Sequence, residues 1–176
     1  MPSAQELLSN PSSVGVWSVD PAHSTIGFKS KSFWGLAPVK GRFAEFSGDG
    51  QITNTQTVFG RIDIKAASLD TKIGKRNKHL RSADYFEVAK FPDISVIVTG
   101  ADAIDGDTVD LRAQLTIKST TAPIALRTKV AVLDDGAVRL STRATIDRKD
   151  FGVDGNLMGM AVDKATILGD VVFRRG

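Results

Sequence analysis

The chain has 176 residues, 41% of them apolar and 24% charged, with a formal net charge of +3, values that describe a single globular domain able to bury a core. It has no cysteine, which excludes disulfides and thiol catalysis. No apolar run approaches the roughly 20 residues that span a bilayer, and MPSAQELLSNPSSVG lacks the basic and apolar regions of a secretory signal, so a cytoplasmic protein is expected.

Residues 1–13 read as an N-terminal arm, with a helical turn over Gln5–Leu8 that ends before Asn10-Pro11. Eight strand-like segments follow in 14–176, at about 15–32, 37–50, 56–68, 93–104, 107–118, 122–133, 136–149 and 164–174. Each alternates with a period of two. Val58, Gly60, Ile62, Ile64 and Ala66 oppose Arg61, Asp63 and Lys65, and Val109, Leu111, Ala113, Leu115 and Ile117 oppose Asp110, Arg112 and Gln114. Gly48-Asp49-Gly50, Asp105-Gly106-Asp107 and Asp134-Asp135-Gly136 read as short hairpin loops. An antiparallel meander with one wet and one dry face closes as a sandwich or a barrel. Eight strands favour the barrel, which leaves no open edge. The dry face carries almost no charge, so an interior ligand should be apolar.

The alternation breaks at Arg76–Pro92, RNKHLRSADYFEVAKFP. This basic, helix-like stretch carries Leu80, Tyr85, Phe86 and Phe91 as apolar anchors and reads as a lid, with Ser82-Ala83-Asp84 as local capping. Lys72, Lys75, Arg76, Lys78 and Arg81 form a run without acids. It fits a solvated loop, a receptor for an anionic head group, or a patch for an anionic membrane surface. Most other Lys and Arg stand singly on polar strand faces, which argues against nucleic acid.

Two histidines, His23 and His79, are too few for a metal centre without carboxylates, and no metal site is expected. Asp20-Pro21-Ala22-His23-Ser24 invites a catalytic triad. Consecutive strand residues point to opposite faces, however, and no Gly-x-Ser-x-Gly elbow is present. Asp147-Arg148 and Asp150 read as a structural ion pair or turn. Trp34, Leu36, Leu157, Met158 and Met160 fall in loops, where large apolar side chains fit either the mouth of a ligand site or packing on the lid.

Five ordered blocks carry a family resemblance: WSVDPAHSTIGF (Trp17–Phe28), VKGRF (Val39–Phe43), RNKHLRSADYFEVAKFPDI (Arg76–Ile94), LTIKSTTAPIAL (Leu115–Leu126) and ATIDRKDFGV (Ala144–Val153). Together they resemble the YceI-like family of lipid-binding, lipocalin-like proteins over about Val16 to Phe173. The resemblance implies an all-β, eight-stranded antiparallel barrel holding a polyisoprenoid, isoprenoid quinone or similar amphipathic lipid. It implies no established catalytic residues, and a homodimer is the expected assembly. Ser32 stands where the family often has His, Arg76-Asn77 where it commonly has Arg-Asp, and Gly155-Asn156 where it often has an aromatic near Asn.

On that reading no cofactor beyond the bound lipid is expected. The tail would lie among Ile26, Phe28, Phe43, Ile62, Ile64, Val96, Leu111, Leu115, Leu140 and Ile146. Leu80, Tyr85, Phe86 and Phe91 would cover it, and Arg76, Arg81 and His79 are the head-group candidates. Two other classes stay open. An enzyme acting on a lipid-like substrate requires His23 or His79 at the cavity beside a carboxylate, and an interaction protein requires a filled barrel.

Overall fold

Proline lacks the amide that would bond to a neighbouring strand and its fixed φ suits the start of a turn, so Asp20-Pro21 favours a corner over an unbroken strand. In a computed structural model that describes residues 3–32, 37–153 and 164–176, the first predicted strand therefore divides into β1 (Gly15–Val19) and β2 (Thr25–Ser32) about a 3₁₀ turn, Pro21–His23. The second bends likewise into β3 (Ala37–Phe43) and β4 (Phe46–Ile52). The third becomes β5 (Val58–Lys65) and a short β6 (Leu69–Asp70). Then follow β7 (Asp93–Asp105), β8 (Thr108–Ile117), β9 (Thr120–Val132), β10 (Val138–Asp147) and β11 (Lys164–Arg175).

These strands make one antiparallel meander that closes on itself. The ring runs β1-β4-β5-β7-β8-β9-β10-β11 and returns to β1, giving an eight-stranded barrel. The strand β11 serves two partners on its free edge. Its first half pairs with β2 (Lys29↔Thr166, Thr25↔Asp170) and its end with β1 (Val19↔Phe173, Trp17↔Arg175). Beyond β2, strands β3 and β6 extend the sheet as a flap over one end.

The corner between β1 and β2 is latched to β11. Asp20 N–H donates to Val172 O at 2.8 Å, Val172 N–H donates to Ser24 Oγ at 2.8 Å, and Ser24 Oγ donates to Asp20 O at 2.6 Å. The Asp20 carboxylate accepts from Ala22 N, His23 Nδ1 and Arg174 Nε. Ser24 is thus committed to backbone and makes no bond to His23. The triad rejected from the sequence is absent on contacts; the strand alternation invoked against it does not apply, because His23 ends a 3₁₀ turn.

Asp105–Asp107 and Asp134–Gly136 do turn hairpins, with Gly106 and Gly136 at positive φ. Gly48-Asp49-Gly50 does not; it lies inside β4. A β-carbon on Gly48 would fall 2.6 Å from Arg61 O and 2.9 Å from Ile62 Cγ1, so this glycine serves the close approach of β5 rather than a turn.

The arm is packed, not free. It forms α1 (Ala4–Ser9), started by a capping box in which Glu6 N–H donates to Ser3 Oγ and Ser3 N–H donates to Glu6 Oε2. Ala4 N–H donates to Gly106 O at 2.7 Å, and Leu8 packs on the inward residues Val109, Leu111 and Leu126. The helix closes the barrel end opposite the flap.

Ser24→Ala removes a buried hydroxyl that bonds to backbone at both ends, so a loss of about 1–3 kcal/mol in urea-unfolding stability is expected. Asp20 and Asp135 both accept from Arg174, which holds each carboxyl below the ordinary aspartate value. Their contribution is complete above the unfolded-state pKa and is lost as pH falls through the lower folded-state value. Arg174→Met should lower the urea midpoint at neutral pH and flatten its decline on acidification. An unchanged acid-side slope would refute the linkage.

Candidate functional site

The inward positions of the strands enclose an apolar cavity of about 410 Å³, within the range of roughly 300–1,000 Å³ typical of small-molecule sites. Period-two alternation places its walls: Ile62 and Ile64 from β5, Ile94 and Val96 from β7, Leu115 and Ile117 from β8, and Ile124 and Leu126 from β9. Ile146 of β10 and Ile167 and Val171 of β11 complete the barrel side, while Ile26, Phe28, Val39 and Phe43 come from the flap.

The cover is α2 (Gly74–Arg81) with the turns that follow it; the predicted helix-like stretch is helical only in its first part. Ser82 lies at the C-terminal end of α2, where its hydroxyl donates to His79 O. Leu80, Tyr85 and Phe86 reach the cavity. Phe86 meets Phe28 and Phe43 at ring-centroid distances of 6.3 and 6.2 Å, and those two rings lie 5.6 Å apart. This aromatic cluster joins lid to flap. A β-carbon on Gly41 would sit 2.3 Å from Phe28 Cζ, so the ring lies over bare backbone at that position.

The lid is anchored by its polar face. Buried Asn77 accepts from Thr71 N at 2.8 Å and Thr71 Oγ1 at 2.6 Å, and its amide donates to the Asp70 carboxylate at 2.9 Å. The Lys72 N–H and the Asn77 amide hold Asp70 below the ordinary aspartate range. Arg81, expected at a head group, instead donates to Ala67 O and Leu69 O at 2.9 and 2.8 Å. It is a strut between lid and β6, and its basic character alone could not have shown that.

Of the expected wall residues, Ile26, Phe28, Phe43, Ile62, Ile64, Val96, Leu115 and Ile146 line this cavity. Leu111 and Leu140 lie deeper, in a second apolar space of about 110 Å³ bounded by Ala4, Leu7 and Leu8 of α1. Left dry, such a void costs on the order of 3 kcal/mol at about 24 cal/mol per Å³. Phe91 is half-buried outside both spaces, with Lys90 Nζ 5.4 Å from its ring centroid. Trp34, Leu36, Leu157, Met158 and Met160 lie outside the described residues.

The wall is not free of charge. Arg76 and His79 of the lid reach the cavity, and so does Arg148, which is only 7% exposed. Arg76 donates to Thr71 Oγ1 and Thr71 O, and His79 Nε2 lies 2.8 Å from Asp84 Oδ2. Arg148 donates to Val153 O at 2.7 Å, and its guanidinium lies 5.9 Å from the Tyr85 ring centroid. Read from the sequence as part of an ion pair or turn, Arg148 begins a 3₁₀ turn after β10; no periodicity marks a residue placed by a turn. Ile117, Ile124, Leu126 and Val171 were also missed, although the alternation that selected their neighbours points to them. His23 is on the outer corner, whereas His79 sits beside a carboxylate at the cavity.

A closed barrel with an apolar interior, a helical lid and cations at one side defines a ligand-binding barrel. Residues 17–173 match the family model for the YceI-like domain, and the chain belongs to that family. It is 33% identical over 144 residues to a UPF0312 protein of Pseudomonas aeruginosa and 30% identical over 142 residues to protein YceI of Escherichia coli O157:H7. In both cases the match covers 77% of this chain and 73% of the relative. Two solved structures share the fold. Burkholderia cenocepacia BcnA superposes with a TM-score of 0.79 at 21% identity, covering 88% of this chain and 98% of that one. A polyisoprenoid-binding domain from Saccharophagus degradans gives 0.76 at 20% identity, covering 91% and 98%.

Asn77→Asp keeps both acceptor bonds to Thr71 but sets a second carboxylate against Asp70. Two ionised groups at that distance repel, so a loss of about 1–3 kcal/mol is expected at neutral pH. Thermal melts at pH values above and below the carboxylate range should show the deficit shrinking once one acid takes a proton. A deficit that does not depend on pH would exclude carboxylate repulsion.

Proposed function

We propose that the barrel binds an amphipathic lipid, a polyisoprenoid, isoprenoid quinone or fatty-acid-like chain, and carries or stores it. The observation behind this reading is the 410 Å³ apolar cavity whose basic side chains, among the described residues, are Arg76, His79 and Arg148 near the lid. Such an arrangement suits a buried tail and an anionic or strongly polar head, since guanidinium groups grip phosphate and carboxylate by charge-assisted hydrogen bonds. The void does not fit the filled core that an interaction protein would have. Affinity would come from apolar area removed from water, less the costs of association.

Mass spectrometry of organic extracts from natively purified protein tests the carrier reading, with a stoichiometric lipid as the expected result. Arg76→Gln should then weaken binding of a fatty acid about tenfold while sparing the alcohol of equal chain length. Equal losses for both would remove the head-group role.

His79 paired with Asp84 at the cavity supports a second reading, an enzyme that uses His79 as a general base on a lipid-like substrate. His79→Ala separates the two: it leaves uptake of an uncharged lipid intact for a carrier and abolishes turnover of bound lipid for an enzyme.

The exchange partner we infer is an anionic membrane surface. Lys29 and Lys40 face each other across β2 and β3, Arg42 lies two residues along β3, and Lys72, Lys75 and Lys78 flank the lid. None of these six forms an ion pair among the described residues. Ile73, 51% exposed, stands in their midst. Each basic residue near an anionic bilayer contributes about 1 kcal/mol. The triple variant Lys40→Glu, Lys72→Glu, Lys75→Glu should therefore lose sedimentation with phosphatidylserine vesicles while its thermal midpoint stays close to that of the unsubstituted protein. Retained sedimentation would refute this partner.

A further inference from the structure

The two apolar spaces are stacked along one axis of the barrel. On β5 the lining passes from Ile62 directly to Gly60, and on β10 from Thr142 to Leu140, with no inward residue between them. On β8 and β9 a single layer intervenes, Ala113 and Thr128, 3% and 1% exposed. Thr128 donates its hydroxyl to Leu126 O on its own strand at 2.9 Å, so its one polar group is already occupied. The partition is one residue deep and lies on one side of the barrel.

The floor below it is built rather than incidental. Leu7 and Leu8 close the lower space, and Ala4 N–H is bonded to Gly106 O. The rest of the arm is held by the Trp17 indole, which donates to Ser13 O, and by Arg175, which donates to Ser12 O and Val14 O. Open apolar space of this size stays dry, and apolar groups enter it favourably.

Resting on the carrier reading above, the geometry points to α1 as the floor that sets how long a tail the barrel accepts, with the space beneath Ala113 and Thr128 taking the last isoprene-sized segment. Two independent positions control that length. A larger side chain at Leu8 raises the floor, and one at Ala113 thickens the partition. Truncation of Leu8 lowers the floor.

The test uses a homologous series of prenyl alcohols, each one isoprene unit longer than the last, with affinities measured on the full chain and on Leu8→Trp, Leu8→Ala and Ala113→Leu. In the unsubstituted protein, affinity should rise with length and then break. Leu8→Trp and Ala113→Leu should each move the break one unit shorter, weakening the longest accepted homologue about tenfold or more, since even two methylenes denied burial cost that much. Leu8→Ala should move it one unit longer. The shortest homologues, held wholly in the upper space, should bind all four proteins alike, which also reports an intact fold. A break at the same length in every variant overturns the floor while leaving the carrier reading standing. Binding of none of the homologues to the unsubstituted protein overturns both.

Discussion

Everything in this molecule depends on β11 serving two partners along one edge. A sheet closes only if its last strand returns to its first, and here the first strand is broken by Asp20-Pro21. The break lets β1 seal one end of the ring while β2 diverges with β3 into the flap. The Asp20–Ser24–Val172 bonds fix where β11 changes partner. The corner at Asp20-Pro21, latched to Val172, is thus what gives the barrel two unlike ends.

The unlike ends divide the labour of closure. The arm covers one end with Ala4, Leu7 and Leu8, and the polar groups buried with it are paired, Ala4 N–H with Gly106 O and the Trp17 indole with Ser13 O. At the other end the lid must cover apolar walls and also hold its own backbone in place. It does so through Asn77 and Arg81, whose bonds go to Thr71, Asp70, Ala67 and Leu69 rather than to the interior. With those residues spent on anchoring, Arg76, His79 and Arg148 are the basic groups that reach the cavity. The Phe28–Phe43–Phe86 cluster packs the lid against β2 and β3, while Asn77 and Arg81 tie it by hydrogen bonds to Asp70 and Leu69 of β6.

How much of this was legible follows from what sets each feature. Ile62, Ile64 and Leu115 were readable because period two fixes which face a strand residue takes. The family blocks made the barrel and its lid readable as well. Gly48 was misread because glycine marks turns and close strand approach alike, and only the neighbouring strand tells them apart. The bonds of Arg81 and the reach of Arg148 into the cavity were unreadable for a shared reason. The destination of a long side chain leaving a helix or turn depends on which carbonyls tertiary structure puts within reach. The helical turn of the arm was legible but its packing was not, because six residues carry little periodicity and its apolar face acquires meaning only against Val109 and Leu111.

Charge distribution ties the mouth to its surroundings. On the barrel body arginines and lysines are mostly neutralised in place: Arg61 by Asp63, Lys65 by Asp93, Arg127 by Asp110, Arg139 by Asp170, Arg174 by Asp20 and Asp135. On the flap and lid the rule reverses. Lys29 directly opposes Lys40, a like-charge pair that weakens the sheet it sits in. The sequence elsewhere shows that neutralising acids are available to it, so leaving this pair bare is a local cost without a local return. The return lies outside the fold. A surface that repels itself in isolation is relieved when it meets negative charge, and Lys72, Lys75 and Lys78 flank the lid from which Arg76 and His79 reach the cavity.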